Sequence, residues 1–439
     1  MELSAHVLAD LAGSYTLLKT PAAAAGTTAR DDVVVQRVSE ILSGIEAGGM
    51  DAVIGYAREL DGFDGDDVEL DAATIAASGD QLTPELRAAL ELGAARTQAF
   101  ARGQREQLSD FEIELVPGLV TGARYIPVNR VGAYLPAGRF PLLSSAFMTV
   151  GVAKVAGVPT VLACTPPRRD GTPDPAVLYG AHLSGVDRAY ALGGVQALAA
   201  MAFGLLGERP VDMLVGAGNA FVAEAKRQLF GRVAIDLLAG PSEVAVIADE
   251  TADAVLVATD LLGQAEHGPT SPAALVTTSE ALAQQVMVEV ERQLVTLKTR
   301  EIAGPAWRDY GSVTVAADRD VAIELMDDLA PEHLEIITSD DEYYYSRLKN
   351  YGSVFIGEWS TVAYADKGMG GANHVLPTRA GARHSAGLSV ARFVKPLTFQ
   401  RATKAATPQL AEAVSVISDY EGLAAHQATA TLRLERFDS

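Results

Sequence analysis

"EVAVIADETADAVLVATDLLGQAEHGPTSPAALVTTS", residues 243–279, is the stretch that decides the fold. Two short apolar runs with β-branched residues flank a helical run that is rich in alanine and leucine and stops at a Gly-Pro break. A strand, a helix and a second strand in this order predict a βαβ unit, in which the two strands are parallel.

The same alternation runs along the chain from about Val131 onward. The predicted strands are VGAYLP, PTVLACTP, DMLVGAG, VAIDLLAG, EVAVIAD, AALVTTS, SVTVAAD, HLEIITS and SVFIGEW. Helical segments such as SSAFMTVGVAKVAG and NAFVAEAKRQLFG lie between many of them. The pattern predicts an α/β fold with parallel sheets, and this number of strands favours two doubly wound sheets over one very wide sheet.

The two ends of the chain carry a different pattern. Thr83 and Pro84 open a long, charged amphipathic helix, and the region before it is predicted to consist of loops that link helices. After Pro396 the pattern becomes helical again, in "TPQLAEAVSVISDYEGLAAHQATATLRLERF". A helical tail on an α/β body predicts exchange with a second subunit.

Composition limits the partners and the compartment. At 439 residues and 49% hydrophobic content, the chain is expected to form more than one packed unit. A net charge of −21 argues against nucleic acid and anionic membranes and favours a small-molecule substrate. The first residues do not resemble a secretory signal and no apolar run reaches membrane-spanning length, so a cytoplasmic location is predicted. Cys164, the only cysteine, is expected to be a buried structural thiol.

A polar pair ends the helical run of the opening segment. Gln264 and His267 are three residues apart and therefore share a helix face, whereas Glu266 points elsewhere. This geometry suits two ligands of one centre, and it equally suits a polar helix end.

Other imidazoles and carboxylates lie at the ends of predicted elements. They are His333 after Glu332 in "APEHLEI", His374 in "GGANHVLPT", His426 in "YEGLAAHQ" and Asp366 in "AYADKGMGG". A buried metal site without cysteines needs such donors from several segments, and this set supplies them. The alternative is that each histidine is a hydrogen-bonded structural residue.

Two glycine-rich turns are candidate ligand sites. "LVGAGNAF" resembles a phosphate-binding turn in which Asn219 begins a helix, but it lacks the third glycine of the dinucleotide fingerprint. "LLAGPSEVAVIAD" places Ser242 and Glu243 just after a strand end, where α/β sheets bind ligands. A tight turn without a ligand explains the second motif about as well.

Five segments together resemble the histidinol dehydrogenase family, in order and over nearly the whole chain: "IDLLAGPSEVAVIAD", "DLLGQAEHGP", "APEHLEI", "NHVLPT" and "EGLAAHQATATLR". The resemblance implies a zinc-dependent, NAD-linked homodimer that oxidises a primary alcohol to a carboxylate in two hydride transfers through a bound aldehyde. The implied default substrate is L-histidinol, in amino-acid biosynthesis. The implied fold has two Rossmann-like doubly wound domains, one inserted in the other, with small helical N- and C-terminal pieces.

The resemblance also assigns roles to residues of this chain. The implied zinc ligands are Gln264, His267, Asp366 and His426, the last from the partner subunit, and the implied acid/base pair is Glu332 and His333. The implied NAD contacts are Tyr134, Gln196 and Asn219, and the implied substrate contacts are Ser242, Gln264, His267, His333, Asp366, Glu421 and His426. The expected domains are an N-terminal helical piece (1–26), a first Rossmann-like domain with the metal and acid/base residues (27–133 and 244–386), a second one that binds NAD (134–243) and an exchanged helical tail (387–439).

Details of the sequence leave the substrate open. Arg139 in "YLPAGRFPLLSSAFM" and a loop after Asp366 that is one residue longer are similar to the sulfopropanediol dehydrogenase branch of the family. An anionic diol such as 2,3-dihydroxypropane-1-sulfonate would be bound by cations, for which the candidates are Arg139, Lys367, Arg379 and Arg383, unless these are solvated or structural. Retention of Glu421 is compatible with cationic histidinol. Two alternatives of another class are a zinc hydrolase, with Glu332 activating water, and a non-catalytic scaffold.

Overall fold

The computed structural model describes residues 1–22, 32–65, 67–138, 140–207 and 209–436. The predicted anion reader Arg139 lies outside the described residues. The strands are β1 (Tyr15–Lys19), β2 (Glu69–Leu70), β3 (Phe111–Val116), β4 (Leu119–Pro127), β5 (Arg130–Tyr134), β6 (Thr160–Thr165), β7 (Arg188–Ala191), β8 (Met213–Val215), β9 (Ala234–Ile235), β10 (Val244–Ala248), β11 (Ala273–Thr277), β12 (Ser312–Ala316), β13 (His333–Ile337), β14 (Ser353–Ile356) and β15 (Val394–Ala402). The α-helices are α1 (Ala5–Asp10), α2 (Asp32–Tyr56), α3 (Ala72–Ala77), α4 (Pro84–Glu106), α5 (Val152–Ala156), α6 (Pro175–Leu183), α7 (Gly194–Phe203), α8 (Ala220–Leu229), α9 (Ala254–Ala265), α10 (Glu280–Leu294), α11 (Arg300–Tyr310), α12 (Arg319–Leu329), α13 (Asp341–Tyr345), α14 (Val362–Asp366), α15 (Thr407–Tyr420) and α16 (Ala424–Glu435).

The first sheet has six strands in the order β1-β12-β11-β10-β13-β14. All neighbours are parallel except β1, which pairs antiparallel with β12. Val244 of β10 lies opposite both Ala273 of β11 and His333 of β13. Three central strands therefore begin at the same edge of the sheet.

The residues of β10 explain why this sheet is covered on both faces. All five of them are buried. Val244, Val246 and Ala248 pack into one core with α9 and α10, whereas Ala245 and Ile247 pack into another with α12. A continuous apolar run of this kind is typical of a parallel strand between two helical layers.

The second sheet also has six strands, in the order β2-β7-β6-β5-β8-β9, and only β2 is antiparallel to its neighbour. Helices α2, α7 and α8 cover one face, and α5 and α6 cover the other. From β5 the chain proceeds to β6 and β7 on one side and to β8 and β9 on the other. Such a reversal opens a crevice at the carboxyl ends of the strands, where doubly wound sheets bind ligands.

The predicted α/β class with parallel sheets is confirmed, and each predicted strand is present in one of the two large sheets. The prediction of helical ends was wrong in part, because β15, β4 and β3 form a third, antiparallel sheet and β1 joins the first sheet. "FEIELV" in β3 alternates apolar and charged residues, which is a strand signal. Pro396 obscured β15, but a proline fits this strand because β15 lies at the sheet edge.

The domain limits expected from the sequence stay a prediction. They can be compared with the sheet in which each strand pairs. Strand β2 and most of β5 fall within 27–133 but pair in the second sheet, not the first. Helix α2 also packs with the second sheet, since Val38, Ile41 and Ile45 are buried against α7 and α8. In chain order, the second sheet therefore lies between β1 and the other strands of the first sheet.

Candidate active site

The candidate site lies at the edge where β10, β11 and β13 begin. His333 is the first residue of β13 and Glu332 precedes it, while Ser242 and Glu243 immediately precede β10. The Ser242 hydroxyl donates to Glu332 Oε2 at 2.7 Å, and the Glu243 amide donates to the same oxygen at 2.9 Å. The Glu332 carboxyl is therefore fixed by two donors from the segment that immediately precedes β10.

The His333 ring is fixed through one nitrogen. Its Nδ1 lies 2.9 Å from the Glu243 carbonyl oxygen, which requires a proton on Nδ1, so that Nε2 is the acceptor when the ring is neutral. Nε2 is buried, has no hydrogen-bond partner among the described residues and lies 3.9 Å from Asp366 Oδ1. Burial alone would lower the pKa of His333, but the nearby Glu332 and Asp366 carboxylates raise it to about 9.

Helix α9 delivers the polar pair to the same place. The Gln264 amide donates to Ser242 Oγ and lies 3.4 Å from His333 Nδ1. His267, just after the helix, places Nε2 3.5 Å from Asp366 Oδ2. The expectation that Glu266 points elsewhere is confirmed, because its carboxylate accepts a hydrogen bond from Thr299. Gln264, His267, Asp366 and His333 thus form one continuous cluster.

His374, a candidate donor in the sequence to which the family resemblance gave no role, contacts the cluster and the segment between β5 and β6. Its two ring nitrogens lie 3.3 Å from Ser144 Oγ and 3.2 Å from Ser145 Oγ, and Ser144 also donates to the Asp366 carbonyl. Burial lowers the pKa of His374. Burial would raise the pKa of Asp366, but the His267 hydrogen bond and the charges of His374 and His333 hold it below its usual range.

Two predicted site residues are not part of this cluster within the chain. Glu421 lies in the connection between α15 and α16, and His426 lies in α16. Both residues are exposed. The described residues contain no group of three His, Cys, Asp or Glu side chains that would hold a metal by themselves. The cluster therefore needs the Gln264 amide and a further donor to complete such a centre.

The predicted NAD residues lie at the carboxyl ends of strands of the second sheet and at the starts of the helices beside them. Tyr134 ends β5, and its hydroxyl accepts a hydrogen bond from the Gly194 amide at the start of α7. Gln196 is buried and donates to Asp61 at 2.8 Å, while its Oε1 has no partner among the described residues. Asn219 caps α8 through the amides of Phe221 and Val222. Asp61 was not expected from the sequence, because it comes from a segment far from the crevice in the chain.

The predicted cations differ in their surroundings. Arg383 donates to buried Asp328 at 2.6 Å and is therefore a structural cation. Lys367 and Arg379 are exposed, and the charge of Lys367 contributes to the lowered pKa of His374. Lys367 directly follows Asp366 and therefore lies beside the cluster. Cys164 is fully buried, as predicted, and burial raises the pKa of its thiol.

A buried cluster of imidazole, amide and carboxylate groups at one sheet edge, beside a second doubly wound sheet, defines an α/β enzyme. The family model described as Histidinol dehydrogenase matches residues 25–434, and the chain belongs to that family. It is accordingly an alcohol dehydrogenase of this family, which argues against the hydrolase and scaffold alternatives. Among the described residues, no helix has the length and apolar content needed to cross a bilayer.

Individual relatives agree over most of the chain. A protein named Histidinol dehydrogenase homolog from Shouchella clausii is 45% identical and covers 92% of this chain and 95% of its own. Sulfopropanediol 3-dehydrogenase from Ruegeria pomeroyi is 43% identical, with 94% and 95% covered. The crystal structure of histidinol dehydrogenase from Elizabethkingia anophelis has a TM-score of 0.87 at 35% identity, and covers 92% of this chain and 93% of its own.

Proposed function

We propose that this chain is a zinc- and NAD-dependent dehydrogenase that oxidises a primary alcohol to a carboxylate by two hydride transfers through a bound aldehyde. The observation that carries the proposal is the buried, unpartnered Nε2 of His333, which faces Asp366 beside the Gln264 and His267 side chains. A buried acceptor without a donor is costly, so it suits a site that is completed by a bound group.

The residues of the cluster fit a zinc ion. Gln264, His267 and Asp366 would hold it, with His426 of a second copy as the fourth donor. Zinc is bound by imidazole nitrogen and carboxylate oxygen, and its sites usually have four ligands. The low pKa of Asp366 keeps that carboxyl ionised, as a metal ligand must be.

The crevice of the second sheet fits a dinucleotide. Tyr134 and Asn219 stand at the carboxyl ends of β5 and β8, at the point where the strand order reverses. Gly216 lies beside the Tyr134 backbone with a φ of 121°, so a side chain at this position would collide with the Tyr134 carbonyl. We propose that Tyr134, Gln196 and Asn219 contact NAD.

When bound, zinc would polarise the alcohol oxygen and NAD would accept the hydride. His333 Nε2 would take the alcohol proton, because the Nδ1 bond to the Glu243 carbonyl leaves this nitrogen as the base. A cation at Asp366 would also counter the carboxylates that raise the pKa of His333, and so favour its neutral form.

Glu332 would serve the second oxidation. Its hydrogen bonds from Ser242 and from the Glu243 amide both end on Oε2. Oε1 is then available to a water molecule that hydrates the aldehyde. His333 would act as the base again in the second hydride transfer, so one site would perform both steps.

A second copy of the chain would complete the site. The tail exposes several large apolar side chains, among them Val416, Ile417 and Tyr420 at 68%, 58% and 95% exposure. Exposed apolar faces on this scale mark interaction surfaces. We propose a homodimer in which the exchanged tail brings the partner's Glu421 and His426 to the site as substrate and metal contacts. The predicted cytoplasmic location stays a prediction.

The substrate is the least constrained element of the proposal. L-histidinol, bound by Ser242 and by the partner's Glu421, is the default. The anionic diol 2,3-dihydroxypropane-1-sulfonate is the second candidate. It is favoured by exposed Lys367 beside His374 and by the relative that carries the name Sulfopropanediol 3-dehydrogenase.

A substrate panel tests the proposal. Purified protein with a measured zinc content would receive L-histidinol, the sulfonated diol or an uncharged diol, with NAD or NADP, and the NADH formed per alcohol consumed would be counted. We expect two NADH per alcohol, a preference for NAD and loss of activity in His267→Ala, with Glu266→Ala as the matched control. One NADH per alcohol would contradict the two-step chemistry, and activity on the anionic diol alone would replace the default substrate.

A further inference from the structure

Two carboxyl groups lie directly behind the candidate site. Glu335 follows His333 by two residues in β13, so both side chains leave the same face of the sheet. Asp260 precedes Gln264 by four residues on α9, so both share one face of the helix. The Asp260 carboxyl lies close enough to Glu335 to raise the pKa of the Glu335 carboxyl. Glu335 is fully buried.

A third element closes the arrangement. The Val362 amide, at the start of α14, donates to Glu335 Oε1 at 3.0 Å. The hydroxyl of Thr361, the residue before it, donates to Asp260 Oδ1 at 3.0 Å. Helix α14 ends at Asp366. The carboxyl pair therefore contacts the three elements that carry Gln264, His333 and Asp366.

The surroundings of the pair favour a proton between the two groups. Glu335 Oε2 is buried, and no N–H or O–H of another described residue donates to it. Two ionised carboxylates that are bonded to the adjacent residues Thr361 and Val362 in a buried site would repel each other, so protonation of one of them is favoured. Burial and the nearby Asp260 raise the pKa of Glu335 to about 8, while His333 acts in the opposite direction. Burial raises the pKa of Asp260 as well.

We propose that Glu335 and Asp260 share one proton and that this acid pair is a positioning device, which holds α9, β13 and α14 at the spacing that brings Gln264, His333 and Asp366 to one centre. Neither carboxyl touches the substrate or cofactor. The positioning half of this inference rests on the proposed zinc site, whereas the shared proton does not.

The shared proton is tested by comparing the wild type with Glu335→Gln. The Gln amide accepts from Val362 and donates to ionised Asp260, so it replaces the acid without the proton. The folded wild type keeps a proton that the unfolded chain loses above its ordinary pKa of 4.5. The stability that this proton contributes is therefore lost as the pH rises from about 4.5 to about 8.

The measurement is urea unfolding at several pH values, with both proteins at the same metal content so that metal effects cancel. Between pH 5 and pH 7.5, unfolding of the wild type should release about one proton more than unfolding of Glu335→Gln. Equal proton release in the two proteins would overturn the shared proton.

The positioning role is tested by zinc affinity, measured by competition with a chromophoric chelator. Glu335→Leu can neither accept from Val362 nor bond to Asp260, and its affinity should fall about 10- to 100-fold. Glu335→Gln should stay within about threefold of the wild type. Glu324→Leu, on an exposed part of α12, is the matched control.

Each outcome decides the inference. Unchanged zinc affinity in Glu335→Leu would overturn the positioning role, and so would a loss in Glu335→Gln as large as that in Glu335→Leu. If Glu335→Leu fails to fold, Asp260→Ala provides the same comparison, because Asp260 is only half-buried and Glu335 keeps its bond to Val362. A wild type without stoichiometric zinc would overturn the proposed function and the positioning role together, while the proton release would still decide whether the pair shares a proton.

Discussion

His333 and Glu332 are adjacent in the chain but are held by different bonds, and this separates their proposed roles. His333 is anchored through Nδ1 to a backbone carbonyl, whereas Glu332 is anchored through Oε2 to Ser242 and to the Glu243 amide. His333 Nδ1 also lies 3.4 Å from Glu332 Oε2, but the shorter bond to the Glu243 carbonyl holds the ring without that contact. A change at Glu332 should therefore leave the imidazole in place.

Replacing Glu332 by Gln should impair the second oxidation more than the first. The amide keeps the size of the side chain and can still accept from Ser242, but it cannot take a proton from water. Loss of a positioned general base typically costs about 100- to 10,000-fold in rate. The measurement is single-turnover kinetics with the alcohol and, separately, with the aldehyde. Equal loss in both steps would contradict the assignment, and Glu266→Gln is the control.

Lys367 should distinguish an anionic from a cationic substrate. If its ammonium binds the sulfonate of the diol, Lys367→Gln should raise the KM for the sulfonated diol about tenfold, which corresponds to about 1.4 kcal/mol of lost binding. The KM for an uncharged diol should stay the same, and Lys349→Gln, which is also exposed, should change neither value. An equal change with charged and uncharged diols would rule out a direct charge contact.

At the scale of elements, the turn between β8 and α8 is braced by a buried ion pair. Lys226 donates to the Gly216 carbonyl at 3.0 Å and pairs with Asp236, which in turn accepts from the Gly216 amide at 2.7 Å. Both side chains are almost completely buried. The positive φ of Gly216 is thus held from both sides of the turn.

Lys226→Met should destabilise the protein by about 3–5 kcal/mol, because it leaves the Asp236 charge buried without a partner. It should also weaken NAD binding, since the turn carries Asn219. Urea unfolding and NAD titration measure the two effects. Arg401→Met removes an exposed pair with Glu112 and should cost only about 0–1 kcal/mol. A loss of stability no greater than in this control would refute the bracing role.

The elements also show how far the sequence could predict this molecule. Strands such as "EVAVIAD" were predictable because a parallel strand between two helical layers is apolar throughout. The spacing of Gln264 and His267 predicted a shared helix face, but not that Asp366 would meet His267 from a helix about a hundred residues later. The Glu335–Asp260 pair depends on such long-range contacts and carries no local signal. The β3–β4 hairpin was missed although its alternation was visible.

At the scale of the whole molecule, a site shared between two copies predicts complementation. His267→Ala and His426→Ala should each be inactive alone. After mixing under conditions that exchange subunits, half of the dimers contain one copy of each, and one of the two sites in those dimers has every ligand intact. Activity should therefore recover to about a quarter of the wild-type value.

The control for this experiment is a mixture of His267→Ala with Asp366→Ala. Both changes affect ligands proposed to come from the same copy, so no mixed dimer contains an intact site. Recovery in this control, or none in the His267→Ala and His426→Ala mixture, would contradict the shared site.

The exposed apolar tail would also make the specific activity depend on the protein concentration in the assay. A monomer that has its own imidazole–carboxylate cluster but lacks its partner's tail would be inert, so the rate per milligram would fall on dilution below the dimer dissociation constant. Assays started by diluting a concentrated stock would slow as dimers dissociate, and the slowing would diminish as the final protein concentration rises. At low protein concentration, the reaction rate would then be proportional to the square of the chain concentration.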